Sequence, residues 1–414
     1  THLASSAASD VYKRQHQRSS TSSDVTFDLE ITGNTPPLAT YISFGSAWKY
    51  LDNGSNQGTA WRGSSFNDSG WSSGNAELGY GDGDENTTVS YGGNSSNKHI
   101  TTYFRKTFSA TGFLPTEYFR ISVIRDDGAV VYLNGTELWR NNMPSGTIYY
   151  NTPASAVSSG SDESTAQTFL VPASMFNNGT NVMAVEIHQE NQSSSDISMD
   201  LQIENIGTPT VDLERGPYLQ TLTQNSVIIK WRTNIPVNSV VHYGLSTGAL
   251  SNTITDPVLT TEHEVTITGL SQNTKYYYDF GHTGTVLGGG DADHYVITAP
   301  ASNSTDLMRA WVLGDAGTAN GNQRAVRDAY YNYVGTDHTD MILMLGDNAY
   351  NDGTDAQYQN AMFENMYEDK LRNTVTWSCP GNHDIYSANS STQTGPYYDI
   401  FTFPTAGEAG GLAS

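Results

Sequence analysis

Near residue 306 the sequence changes its period, and that change constrains the fold more than any other feature. Up to about residue 300, short apolar or alternating runs such as "YFRKTF", "YFRISVIRD", "AVVYLNG" and "VMAVEIHQ" are divided by turns rich in Gly, Asn, Asp and Ser. This spacing predicts strands packed as sandwiches or jelly rolls. From 306 onward "LMRAWVLGD", "DMILMLGD" and "TVTWSCPGNHD" read as buried strands, with "NQRAVRDAYYNYV" and "TDAQYQNAMFENMYEDKLRN" between them as helices. Strand and helix in alternation predict a parallel sheet, whose functional groups gather beyond the carboxyl ends of the strands.

Length and charge narrow the possibilities. A chain of 414 residues is expected to form two to four domains. Acidic residues outnumber basic ones 43 to 20, a formal charge of −23 that repels nucleic acid and anionic membrane surfaces, so neither is expected as a partner. The single cysteine, Cys379, excludes an intrachain disulfide and a cysteine metal cluster. No apolar run is long enough to span a bilayer. Few lysines, many tyrosines and strand-rich patterning favour a secreted or periplasmic bacterial protein. The chain starts without Met, so the lack of a signal peptide carries no weight.

The N-terminus reads in two parts. "DVYKRQ", residues 10–15, is what a transposon end used in sequencing libraries encodes, so residues 1–15 are expected to be non-native. "HQRSSTSSDVTFDLEI" (16–31) aligns without a gap with "HQENQSSSDISMDLQI" (188–203), with half of the sixteen positions identical. Residues 16–35 are therefore expected to be the last strand of an earlier, truncated copy of the module that ends near 205.

Chemistry concentrates in the last third. Gly-Asp occurs at Asp82, Asp84, Asp291, Asp315 and Asp347, but only the last two follow an apolar strand. "WVLGDAG", "LMLGDNAY" and "PGNHD" bring Asp315, Asp347 with Tyr350, and Asn382 with His383 to three neighbouring strand ends. Taken singly, each aspartate reads as a turn or helix cap and Tyr350 as packing. Together, carboxylate, phenolate, amide and imidazole form a mixed oxygen and nitrogen set suited to iron, manganese or zinc. A carboxylate can also bridge two such cations. Glycine before each aspartate removes bulk where the backbone turns away from its strand.

The ordered trio GDxG, GDxxY, GNHD resembles the calcineurin-like metallophosphoesterases, and within them the purple acid phosphatases. General members of the superfamily carry a histidine where this chain has Gly317, and the purple acid type replaces that ligand with a tyrosinate, which Tyr350 matches. The resemblance implies a dinuclear centre of Fe(III) with a divalent Fe, Zn or Mn. It makes Asp315 and Tyr350 ligands of the ferric site, Asp347 the bridge and Asn382 a ligand of the divalent ion. His383 would face the phosphate as transition-state stabiliser or leaving-group acid, with Asp384 orienting it. Upstream, "ERGPYLQTLTQNSVIIKWRT" and "VHYG" resemble the β domain that precedes the catalytic domain in purple acid phosphatases, a fibronectin type III-like sandwich with Trp231 on an early strand and a tyrosine corner in "LSQNTKYYY". "AELGYGDG", "TYFRKTF", "DDGAVVYLNGTELWRNNMP" and "GTNVMAVEIHQ" resemble galactose-binding-like jelly rolls.

The expected architecture is thus multidomain: an all-β jelly roll over 36–205, a β-sandwich over 206–302, and the first half of an α/β metallophosphoesterase domain over 303–414. Its expected activity is hydrolysis of phosphate monoesters. The alternatives are a carbohydrate- or surface-binding protein with a degenerate phosphatase domain, and a phosphodiesterase or nucleotidase of the same superfamily. The family's three further histidine ligands find no match after His383, and His338 fits none of them, so the fragment is expected to bind metal poorly and to be inactive. In the jelly roll, Asp82 and Asp84 could hold Ca²⁺, although a solvated acidic turn is favoured. Trp48, Trp61 and Trp71 could stack on a sugar, although core packing is favoured.

Overall fold

The computed structural model describes residues 12–16, 26–30 and 37–404, the first two segments as backbone alone, and divides the chain into two compact units, 1–209 and 210–414. Tyr12–His16 and Thr26–Glu30 pair antiparallel. Otherwise the expectations of non-native sequence over 1–15 and of a module remnant over 16–35 lie outside the described residues.

The first unit carries two six-stranded sheets. One runs in the order Thr136–Asn141, Gly128–Leu133, Gly179–His188, Thr101–Ala110, Ala47–Leu51, Ser72–Asn75, and the other centres on Tyr118–Asp126 and Ile197–Gly207. Period-two alternation splits each strand between two environments. From Gly179–His188, Met183, Val185 and Ile187 join Phe119, Ile121, Val123 and Leu201 in the main core, whereas Ala184 joins Trp61, Tyr103 and Tyr132 in a second cluster. Trp48, Trp61 and Trp71 are 1%, 0% and 8% exposed, so these rings pack and offer no platform for a sugar. Asp82 and Asp84 stand exposed on their turn with Glu85, whose carboxylate accepts the Asp82 and Gly83 N–H groups at 3.0 and 3.1 Å.

In the second unit, one nine-stranded sheet runs through both the β-sandwich segment and the α/β segment. Its antiparallel part comprises Leu213–Gln220, Ser226–Gly244, Asn252–Thr268, Lys275–His282, Thr285–Gly289 and Tyr295–Ile297. Trp231 is buried there, stacked on His263 at 4.7 Å, and the Tyr276 hydroxyl accepts the Ser271 N–H at 3.0 Å. The parallel part comprises Ala310–Leu313, Met341–Met344 and Val375–Ser378, with Met341–Met344 in the middle. The two parts join where Leu219 pairs in parallel with Val375.

Side chains fasten this junction. Arg232 grips both oxygens of Asp355 at 2.6 and 2.8 Å, and Arg215 reaches the same carboxylate at 3.0 Å. Burial would raise the Asp355 carboxyl, but the two guanidinium groups hold it below the usual carboxylate range. The Tyr278 hydroxyl donates to the Arg372 carbonyl at 2.6 Å and that of Tyr218 to the Ile400 carbonyl at 3.1 Å.

The first predicted helix forms as Gly321–Val334, its N-terminus capped by the Asn320 side chain and its end set by Gly335. The second, expected as one helix over 354–373, is broken. Thr354 opens Asp355–Tyr358 with a capping box, a wide turn follows at Gln359–Phe363, and Glu368–Leu371 is separate. Asn365 takes a left-handed conformation (φ 52°) between the pieces, and the break lets Met362, Phe363 and Met366 all enter the core. Among the described residues no helix is long and apolar enough to cross a membrane.

Candidate metal centre

The site is built at the carboxyl ends of the three parallel strands. Asp315 follows the first and Asp347 the second, and both aspartates adopt left-handed backbone (φ 52° and 54°), which turns each carboxylate off its strand. The preceding glycines are not equivalent. A Cβ at Gly346 would meet the Gly381 backbone at 2.9 Å, whereas one at Gly314 would find nothing nearer than 3.8 Å. Close approach therefore explains Gly346 and leaves Gly314 unexplained, correcting the expectation that both serve the same end.

Tyr350 closes the cluster. Its hydroxyl lies 3.0 Å from Asp315 Oδ1 and 2.9 Å from Asp347 Oδ2, so one phenolic proton serves two carboxylates. The tyrosine reaches this point because residues 348–350 run directly over Gly317: the Tyr350 N–H donates to the Gly317 carbonyl at 2.9 Å, and a Cβ at 317 would sit 2.3 Å from the Ala349 nitrogen. A side chain at 317 and Tyr350 in this place exclude each other sterically.

The third strand contributes through backbone. His383 N–H donates to Asp347 Oδ1 at 3.1 Å, and Gly381 lies so close that a Cβ would fall 2.2 Å from the same oxygen. Burial would raise the Asp347 carboxyl, but the hydrogen bonds from His383 N–H and Tyr350 outweigh it and hold the group below its usual range. Burial and the two accepting carboxylates push the Tyr350 phenol strongly upward. The His383 ring lies 4.5 Å from that of Tyr350, and its Nδ1 faces the Asn351 carbonyl, which favours the Nδ1–H tautomer and leaves Nε2 open.

Asp384 does not touch the imidazole, contrary to the role expected of it. Its fully buried carboxylate accepts the Asn348 N–H and side-chain amide, the Gly381 N–H at 2.7 Å and the Tyr358 hydroxyl, tying the second and third strand-end loops together. The Asn351 carbonyl orients His383 instead. Asn382 is exposed at the same edge and carries no hydrogen bond to the other site residues. Asn348, Asn351 and Tyr358 were not anticipated. The Asn that follows Asp347 in "GDNAY" was the one available signal, whereas Tyr358 belonged to what looked like an ordinary helix.

The donors fit a hard cation. Two carboxylates and a phenol converge on one exposed edge, and a cation that displaced the phenolic proton would take three oxygen donors at once. Among the described residues the His, Cys, Asp or Glu trio with ligand atoms within 4.8 Å of one another is Asp82, Asp84 and Glu85 of the first unit, since here the third donor is a phenol.

Residues 217–299 match the family described as purple acid phosphatase, N-terminal domain, and residues 308–411 match the calcineurin-like phosphoesterases. The two matches follow one another along the second half of the chain, the β-sandwich segment first and the α/β segment after it. No curated protein sequence matches the chain. Among solved structures, PhoD shares 12% identity over 44% of this chain and 42% of its own, with a TM-score of 0.31. A glycosyl hydrolase family 2 member from Bacteroides cellulosilyticus shares 12% identity over 81% of this chain and 45% of its own, with a TM-score of 0.29. The chain spans less than half of either, and likeness at this level carries no argument about activity.

Proposed function

We propose that this chain belongs to a protein that hydrolyses phosphate monoesters at a dinuclear metal centre. The observation that carries this reading is the exclusion at Gly317: the position that could offer a histidine is closed by backbone, and the same backbone delivers Tyr350 to Asp315 and Asp347. In this reading Asp315 and Tyr350 would hold Fe(III), Asn382 would serve a divalent Fe, Zn or Mn, and Asp347 would be shared by both. Metals held there would supply Lewis acidity that lowers the pKa of water and offsets phosphate charge. Tyr350 must give up its proton on loading, and Asp315 and Asp347 must exchange that hydrogen bond for metal. His383, in its imidazolium form with Nδ1–H held by the Asn351 carbonyl, would donate from Nε2–H to the phosphate oxygens or protonate the leaving alkoxide. Asp384 positions Gly381 and Asn348, and through them His383 and Asp347. A secreted or periplasmic location suits the acidic composition.

Loading with Fe(III) tests the ligand set without turnover. A phenolate-to-iron absorption band in the visible, lost in Tyr350→Phe and retained in His383→Ala, is expected. A colourless Fe(III) adduct, or a band that survives Tyr350→Phe, overturns the assignment.

A further inference from the structure

The connection between the β-sandwich segment and the α/β segment is built unlike the other loops of the second unit. The Ala299 N–H is fixed to the Thr223 carbonyl at 3.0 Å and the Arg309 N–H to Asp340 Oδ2 at 2.6 Å, so the span begins and ends at held points. Between them its backbone bonds are local. The Ser304 N–H donates to the Ala301 carbonyl at 2.8 Å, and the Asp306 N–H to the Ser304 hydroxyl at 3.1 Å. Among the described residues, no group hydrogen-bonds the N–H or the carbonyl of Leu307 or Met308.

Leu307 is 99% exposed and Met308 51%, so two large apolar side chains stand in water at the end of the polar run "SNSTD". Other exposed apolar residues sit on regular or turn backbone: Tyr333 in the helix Gly321–Val334, Val258 in the strand Asn252–Thr268, and Tyr149 in a turn closed by the Thr152 N–H at 2.9 Å. An endoprotease needs the reverse. It pairs its cleft with extended backbone whose hydrogen-bonding groups are free, and it takes one side chain into its specificity pocket. Leu307 meets both conditions.

We propose that the Leu307–Met308 bond is a processing site for an endoprotease with an apolar specificity pocket, and that cleavage leaves one two-chain protein. Water adds across the peptide bond, leaving a carboxylate on Leu307 and an ammonium on Met308, with no other reactant. The pieces stay together because the contacts between the two segments do not pass through the connection. Leu219 pairs with Val375, and both enter one apolar core with Trp231. Arg232 grips both oxygens of Asp355 at 2.6 and 2.8 Å. The Thr221 hydroxyl donates to the Thr402 carbonyl at 2.7 Å, and the Lys230 ammonium to the Asp399 carbonyl at 3.0 Å. Asp340 still holds the Arg309 N–H after the cut, so the strand Ala310–Leu313 keeps its register from its first residue. What cleavage removes is the tether, and the segments then rely on their own affinity.

The test uses the full 414-residue chain and a trace of subtilisin, whose broad specificity lets exposure choose the site. The first cut within residues 37–404 is expected to give one piece that ends at Leu307 and one that begins at Met308, identified by mass spectrometry. The two should elute together in gel filtration and separate only in denaturant. Leu307→Asp, at a position too exposed to disturb the fold, should slow this cut about tenfold or more, whereas Tyr149→Asp leaves its rate unchanged. Three results overturn the proposal: a first cut elsewhere in 37–404, pieces that separate without denaturant, or a Leu307→Asp protein cut at the wild-type rate.

Discussion

Asp384 and Asp126 are both fully buried carboxylates, and the two units of the molecule treat them in opposite ways. Asp384 collects backbone N–H groups, an amide and a phenol from three segments, so its charge is solvated by the protein. Asp126 accepts none, and burial first, then the neighbouring Asp127 and Asp196, push its carboxyl up to about 9, so it keeps its proton at neutral pH. A buried charge is tolerable when the fold brings donors to it. Where the fold brings none, the group keeps its proton and the buried charge is avoided.

Substitution should expose the difference most strongly at Asp384. Asp384→Ala strands several buried donors and should lower the stability of the second unit by about 4 kcal/mol, measured by denaturant unfolding. Asp126→Asn should instead leave the first unit within about 1 kcal/mol of wild type, or above it, because the amide replaces a group that is already neutral. Equal losses at both sites would dissolve the contrast.

Acid offers the next largest effect, through a buried cation-forming group. Burial, with a lesser contribution from the nearby His282, lowers His263 to about 4. Between about pH 6.5 and 4 the unfolded chain binds a proton that the folded one refuses, so stability falls as pH falls, by up to about 3 kcal/mol. Thermal unfolding of the second unit from pH 7 to 4 measures this, and His263→Gln should flatten the profile. A profile already flat in the wild type would show that His263 is not held neutral.

Gly317→Ala sharpens the comparison at the exposed carboxylates. The added methyl must push back the 348–350 backbone, at about 2 kcal/mol, and should weaken the iron–phenolate band as Tyr350 retreats. An unaltered band would detach Gly317 from Tyr350. Tyr350→Phe should be the mildest change in stability, below about 0.5 kcal/mol at a half-exposed position, while removing the band altogether.

Much of this was legible beforehand, and the failures share a cause. Period-two and strand–helix alternation report which residues avoid water, so the sheets and the ends carrying Asp315, Asp347 and His383 could be placed from the sequence. The pairing of Gly317 with Tyr350 could be read because each residue type answers the other. The break at Asn365 could not, because a left-handed asparagine inside a helical pattern is decided by tertiary packing of Met362, Phe363 and Met366. Asp384 stood beside His383 in sequence and was assigned to it, yet side-chain direction takes it to Asn348, Gly381 and Tyr358. Asp126 closes the strand-like run "YFRISVIRD" in the sequence, and only burial reveals its want of partners.

The pairing of Leu219 with Val375 also fixes an order of events. On the ribosome the strand Leu213–Gln220 leaves the exit tunnel long before Val375–Ser378, so the β-sandwich segment can close while one side of that strand still lacks its neighbour. An open strand edge invites other strands. The α/β segment, arriving last, thus acts toward its predecessor as a tethered cover, and a nascent chain stalled before residue 375 would expose the edge most open to mispairing.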